Sequence, residues 1–173
     1  RTNLADNKKI LQTFDGRGNL TSRTDEEGRK TTYTYNTANQ RLSMTEASGT
    51  TSARTTNYTY YSNTADLITS IKKPSVVSGN IATTTIDYNA DLLPERITQA
   101  GYKPGGAAVS RITTLNYNSY GQVTSIDGPR SDVNDLTTLT YHSCTSGAEC
   151  GRLATVTNAL NQVTTYQAYD GAG

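Results

Sequence analysis

Cys144 and Cys150 stand six positions apart in Ser143-Cys144-Thr145-Ser146-Gly147-Ala148-Glu149-Cys150-Gly151, with His142, the one histidine of the chain, just ahead of them. The spacing permits a disulfide that pins a widened turn, worth about 2 kcal/mol by loop-closure entropy. Such a bond persists only in an oxidising compartment. Two free thiols are the alternative. Zinc fits poorly, because three ligands stand where a structural site wants four, and the cysteines are spaced wider than the usual two to four intervening residues. His142 has no Ser or Cys partner in a nucleophile motif, so it reads as a solvated residue at a strand end.

The remaining polar clusters lead to bland readings. Asp25-Glu26-Glu27 offers carboxylates, but glycoside hydrolysis needs a pair about 5–9 Å apart across a cleft, which neighbours on a turn do not supply. Asp132-Val133-Asn134-Asp135 lacks the Gly and the distal Glu of an EF-hand. Lys103-Pro104-Gly105-Gly106 lacks the Gly-Lys-Ser/Thr that cradles phosphate. Asn19-Leu20-Thr21 and Asn57-Tyr58-Thr59 match the glycosylation sequon. No catalytic, cofactor-binding or metal-binding set emerges. The sequence is expected to be non-enzymatic and to need no cofactor, any activity lying in a C-terminal domain outside it.

What must position these residues is a repeat. Thr-Thr followed by a strand-forming residue and a closing Tyr recurs six times: Thr31-Thr32-Tyr33-Thr34-Tyr35, Thr55-Thr56-Asn57-Tyr58-Thr59-Tyr60, Thr84-Thr85-Ile86-Asp87-Tyr88, Thr113-Thr114-Leu115-Asn116-Tyr117, Thr137-Thr138-Leu139-Thr140-Tyr141 and Thr164-Thr165-Tyr166-Gln167-Ala168-Tyr169. From Tyr35 the closing tyrosine advances by 25, 28, 29, 24 and 28 residues, to Tyr60, Tyr88, Tyr117, Tyr141 and Tyr169. A period of roughly 20–50 residues marks units that bury a face only by stacking on their neighbours. In Thr84 to Tyr88 alternate residues share a face, the pattern of a half-buried strand.

Asn or Asp often follows the closing Tyr (Asn36, Asn89, Asn118, Asp170). Gly or Asn lies four residues after the aromatic, in Phe14…Gly18, Tyr35…Asn39, Tyr117…Gly121 and Tyr169…Gly173. The first folds its side chain onto nearby backbone and the second tolerates positive φ, which together make a turn. A second strand follows in Leu20-Thr21-Ser22-Arg23, Ile68-Thr69-Ser70-Ile71, Val123-Thr124-Ser125-Ile126 and Leu153-Ala154-Thr155-Val156. Its apolar pair sits three apart, so a bulge or strong twist is expected. Pro94 interrupts the copy after Tyr88, which is expected to be an edge or irregular segment. Lys72 to Gly79, Ala100 to Ala108 and Asp127 to Asp135 read as loops between hairpins.

The unit is therefore a β-hairpin, and consecutive hairpins are expected side by side in one antiparallel sheet, with equivalent tyrosines forming a ladder and serving structure rather than ligand contact. Bulk properties agree. Net charge is +1, which leaves no electrostatic footprint for nucleic acid. Hydrophobic residues are 34%, with one Phe and no Trp, thin material for a dry core. Abundant β-branched residues and Tyr oppose disorder. No apolar run approaches a membrane span, and no signal peptide opens the chain. Arg1 and Gly173 read as cuts in a longer protein, leaving one array over residues 1–173 of about six hairpins with a partial unit at each end.

These residues resemble the bacterial Rhs, or YD-repeat, family. The resemblance rests on Tyr117-Asn118-Ser119-Tyr120-Gly121-Gln122-Val123-Thr124-Ser125-Ile126-Asp127, on Gly151-Arg152-Leu153-Ala154-Thr155-Val156-Thr157-Asn158, and on Phe14-Asp15-Gly16-Arg17-Gly18-Asn19-Leu20-Thr21 with Phe for Tyr. It runs from about Phe14 to the C-terminus. It implies a β-strip spiralling into a hollow shell around cargo, often a C-terminal toxin used in competition between bacteria, in a secreted or surface protein. Related tyrosine-rich shells occur in insecticidal toxin complexes and teneurins. The chain departs from self-cleaving members in having no Asp-Pro, and it shows no non-repeat C-terminal domain. The expected partners are the rest of its own chain or further copies through sheet edges, and enclosed toxin cargo. The competing reading is an extracellular adhesin or fibre whose outward tyrosines bind carbohydrate or a cell surface.

Overall fold

The computed structural model describes residues 9–144 and 149–169. The regular elements among them are all strands: β1 (Leu11–Phe14), β2 (Leu20–Thr24), β3 (Lys30–Tyr35), β4 (Arg41–Glu46), β5 (Arg54–Ser62), β6 (Ala65–Pro74), β7 (Ile81–Tyr88), β8 (Pro94–Tyr102), β9 (Ala108–Tyr117), β10 (Val123–Asp127), β11 (Thr137–Tyr141), β12 (Leu153–Thr157) and β13 (Val163–Thr165). They follow chain order in one 13-stranded sheet, with antiparallel pairing. The chain is thus all-β and built of tandem hairpins. It divides into two compact units, residues 1–85 with 99–110, and residues 86–98 with 111–173.

The odd spacing of the second strands has a specific cause. In the first unit the partner of Phe14 is Leu20 while that of Thr13 is Ser22, which leaves Thr21 as an extra residue. Tyr35 pairs with Arg41 and Thr34 with Ser43, and Tyr60 pairs with Ile68 and Thr59 with Ser70. The second unit repeats it in Tyr117 with Val123 and Asn116 with Ser125, and in Tyr141 with Leu153 and Thr140 with Thr155. Each is a β-bulge one step inside the turn. Two successive polar residues then share a face, as Thr13 shows by meeting both Thr21 (2.9 Å) and Ser22 (2.7 Å) through its hydroxyl. The apolar residues flanking the bulge, such as Val123 and Ile126, are thereby returned to a common face.

The two faces differ in chemistry. One is a hydroxyl and amide row: Thr34–Ser43 (2.6 Å), Thr45–Thr55 (2.8 Å) and Thr59–Thr69 (3.1 Å) in the first unit, Asn116–Ser125 (2.8 Å) and Thr140–Thr155 (2.7 Å) in the second. The other carries Tyr33 opposite Met44, Tyr58 opposite Ile71, Leu115 opposite Ile126 and Leu139 opposite Val156, all partly buried. Pairs of this kind contribute roughly 0.2–1 kcal/mol each beyond Ala–Ala. Among the described residues no hydrophobic side chain is fully buried, and the one buried residue is Gln40, at 4% exposure.

Two expectations are corrected. Pro94 does not disrupt its segment but heads the nine-residue strand β8. At the first position of a strand its missing N–H leaves no ladder bond unmade, and its fixed φ suits extended backbone. Two of the loops are also shorter than their composition implies, spanning 75–80 and 103–107, while the third, at 128–136, keeps its expected length. Lys72, Lys73 and Pro74 continue β6, pairing with Thr83, Ala82 and Ile81. Where neither face is sealed from water, lysines can follow the ladder without being desolvated.

Candidate functional site

The hairpin turns are built by their first residue. Asn36 Oδ1 accepts the backbone N–H groups of Ala38 (2.9 Å) and Gln40 (3.0 Å). Asp15 does the same for Arg17 and Asn19, Asn89 for Asp91 and Leu93, and Asn118 for Tyr120 and Gln122. The fourth residue then takes positive φ: Gly18 at 85°, Asn39 at 65°, Leu92 at 60° and Gly121 at 75°. At the opposite ends of the strands Asp25 and Asn158 build equivalent turns. The Asn19 side-chain amide, followed by backbone N–H groups, holds Asp15 below the usual carboxylate range, and the Arg29 side chain does so for Asp25. Asp170 and the rest of the turn that follows Tyr169 lie outside the described residues.

The fifth turn residue reaches forward to the next hairpin. Gln40 Oε1 is held by Asn36 Nδ2 (2.7 Å), which aims Gln40 Nε2 at the carbonyls of Ser62 (2.9 Å) and Ala65 (3.0 Å) in the β5–β6 turn. In the second unit Asn118 Nδ2 holds Gln122 Oε1 (2.8 Å), and Gln122 Nε2 donates to the Gly151 carbonyl (2.5 Å). Asn19 Nδ2 likewise meets Asn39 Oδ1 at 2.8 Å.

The closing tyrosine reaches backward. Tyr35 donates its hydroxyl to the Leu20 carbonyl (3.0 Å), Tyr60 to Arg41 (2.9 Å), Tyr117 to Pro94 (2.6 Å), Tyr141 to Val123 (2.7 Å) and Tyr169 to Leu153 (2.6 Å). Each acceptor is the first residue of the preceding hairpin's second strand, and at Leu20, Arg41, Val123 and Leu153 this is the place where the bulge disturbs the ladder. A forward amide and a backward phenol thus clasp consecutive hairpins outside the strand ladder. Tyr35, Tyr60, Tyr88, Tyr117, Tyr141 and Tyr169 are all partly buried. Burial pushes the phenols of Tyr60, Tyr88 and Tyr117 up. Within the first unit Tyr35 lies on β3 and Tyr60 on β5, and within the second Tyr117 lies on β9 and Tyr141 on β11, so in each unit the equivalent tyrosines are separated by an intervening strand rather than set as directly adjacent rings.

Cys144 and Cys150 are joined by a disulfide, with Cα atoms 4.2 Å apart. His142 Nε2 lies 2.8 Å from the Tyr166 carbonyl, which fixes Nε2 as the protonated nitrogen, and its ring meets Tyr169 edge-on at 6.2 Å. Asp25 and Glu27 pair with Arg29 at 2.6 and 3.0 Å. Asp135 receives the Arg130 N–H (2.9 Å), and Asp132 lies 3.5 Å from the Arg130 guanidinium. Among the described residues no group of three or more His, Cys, Asp or Glu is placed to hold a metal, and no helix is long and apolar enough to cross a membrane. Gln40 and Gln122 are the functional residues that sequence reasoning missed. A readable signal existed, since Asn is followed four residues later by Gln in Asn36…Gln40, Asn118…Gln122 and Asn158…Gln162.

The fold and the clasp define a tandem-hairpin repeat protein. Residues 14–51, which run from the last residue of β1 through β2, β3 and β4, match the family model described as RHS Repeat. The resemblance to the Rhs/YD-repeat family therefore holds, with a direct match over those hairpins. No curated protein matches the sequence. Similar solved structures include the crystal structure of TcdB2-TccC3 (15% identity, 95% of this chain and 11% of that chain covered, TM-score 0.34) and that of TcdB2-TccC3-Cdc42 (14%, 95% and 11%, TM-score 0.33). The chain spans about a tenth of the length of those chains.

Proposed function

We propose that this chain is a structural, non-catalytic segment of a secreted or cell-surface Rhs-type protein, a stretch of shell wall that surrounds a toxin cargo. The observation that carries the reading is the pairing of two facts: no hydrophobic side chain among the described residues is fully buried, and neighbouring hairpins are joined by tyrosine hydroxyls and, at Gln40 and Gln122, by side-chain amides. A sheet with no core of its own gains stability by extension along its strand order, which suits a wall better than a globule. The RHS repeat over residues 14–51 supports the family assignment of that wall. The disulfide suits an oxidising compartment. The clasp also speaks against the carbohydrate-binding alternative, because Tyr35, Tyr60, Tyr117, Tyr141 and Tyr169 spend their hydroxyls on backbone carbonyls.

Sedimentation velocity over a concentration series tests the reading. The chain is expected to associate through its terminal strands, since strand edges left without a neighbour template further pairing. A single monomeric species across the whole series would defeat the wall interpretation.

A further inference from the structure

We propose that the Cys144–Cys150 disulfide is a redox-controlled lock on one inter-hairpin clasp, the bond from Gln122 to the Gly151 carbonyl. Two hairpin ends in separate units show why a lock is needed. Between β5 and β6 the chain turns through Asn63 and Thr64, and the tight turn alone sets the Ser62 and Ala65 carbonyls before Gln40. Between β11 and β12 the excursion runs from 142 to 152, yet Gly151 still meets Gln122. Beyond the backbone bonds at its mouth, a loop of that length has no intrinsic reason to hold one carbonyl in place.

The disulfide supplies that reason. Cys150 directly precedes Gly151, and its bond to Cys144 closes the excursion just outside a bonded mouth. There the His142 N–H donates to the Arg152 carbonyl (2.8 Å), the Gly151 N–H to the His142 carbonyl (3.1 Å) and the Arg152 N–H to the Glu149 carbonyl (2.9 Å). Gly151 sits at φ 67°, a conformation glycine takes without strain but does not hold by itself. The cystine therefore reinforces these bonds in keeping a permissive residue where the Gln122 amide reaches its carbonyl. Cys144 is exposed and Cys150 partly buried.

The switching step is thiol–disulfide exchange with a dithiol reductant. One reductant thiolate attacks a cystine sulfur and breaks the S–S bond, and the second resolves the mixed disulfide. The protein gains two electrons and two protons as two thiols, and the reductant leaves as its own disulfide. Gly151 is then released, and Gln122 loses its acceptor.

Hydrogen exchange on the whole chain, oxidised and after dithiothreitol, reads the consequence. Reduction is expected to speed exchange roughly fivefold around residues 119–124 and 150–153, the effect of losing about one hydrogen bond. Residues 36–46 of the first unit should exchange as before. Oxidised Gln122→Ala should already show the faster rates in the 150–153 segment, and reducing it should add little, because linked groups are non-additive. Unchanged exchange on reduction overturns the proposal, as does loosening spread evenly over the chain, or full additivity of the two perturbations. Should Gln122→Ala not fold, the wild-type reduction decides alone.

Discussion

The turns at residues 36–40 and 89–93 begin identically and end differently. Asn36 and Asn89 each accept the same two backbone N–H groups, and each turn puts its fourth residue at positive φ. The first turn then offers Asn39 and Gln40, the second Leu92 and Leu93. Asn tolerates the left-handed region through local side-chain hydrogen bonds, whereas Leu has no such compensation. Gln40 bonds the next hairpin's carbonyls, while Leu93 meets the next turn through a methyl group that lies 3.4 Å from where a Cβ on Gly121 would stand. The opening residue makes the turn, and the closing residues decide how it is joined to its neighbour and at what strain.

Exchanging the closing residues is the strongest way to break this contrast. Gln40→Leu imitates Leu93 in a setting built for an amide, and removes the donor to Ser62 and Ala65 while burying apolar bulk beside their carbonyls. It should destabilise the chain by about 1–3 kcal/mol, as for unsatisfied buried polar groups, read from the denaturant midpoint. A loss below a few tenths would show that the amide is ornamental and that packing alone joins the hairpins.

The fourth position gives a smaller effect of opposite sign. Leu92 is 41% exposed at φ 60°, so little packing offsets its strain. Leu92→Gly should raise stability by about 1 kcal/mol, since the left-handed region costs a branched side chain roughly that much. Asn39→Leu should lower it comparably. If Leu92→Gly destabilises instead, the Leu92 side chain makes contacts that outweigh its backbone.

The same two turns show how far the sequence could be read. Tyr followed by Asn or Asp, then Gly or Asn, announced the turn because each residue has a local mechanism that needs no partner. The apolar spacing in Val123-Thr124-Ser125-Ile126 announced the bulge for the same reason. Pro94 misled because its effect depends on whether it falls inside a strand or at its head, which pairing decides. Lys72 and Lys73 misled because their polarity suggested a loop, while a ladder open to water on both faces accepts them. The clasp was less legible still. Gln40 and the Tyr35 hydroxyl act on carbonyls 22 and 15 residues away, and nothing in their own neighbourhood reveals those acceptors.

Alkaline titration sharpens the comparison through the phenols clasped to the two hairpins. Tyr60 donates to Arg41, just after the first turn, and Tyr117 to Pro94, just after the second. Burial raises both above the ordinary tyrosine value of about 10, but the Arg41 cation works against the rise at Tyr60, and burial is the sole cause at Tyr117. Between the unfolded and the raised folded value the native chain holds more protons than the unfolded one, so stability falls as pH climbs. The contribution is whole below about pH 10 and is lost as pH passes the folded values. Denaturant midpoints collected through that range should decline, and Tyr117→Phe and Tyr60→Phe should each flatten the decline. A flat wild-type profile would mean that neither phenol is desolvated by its clasp.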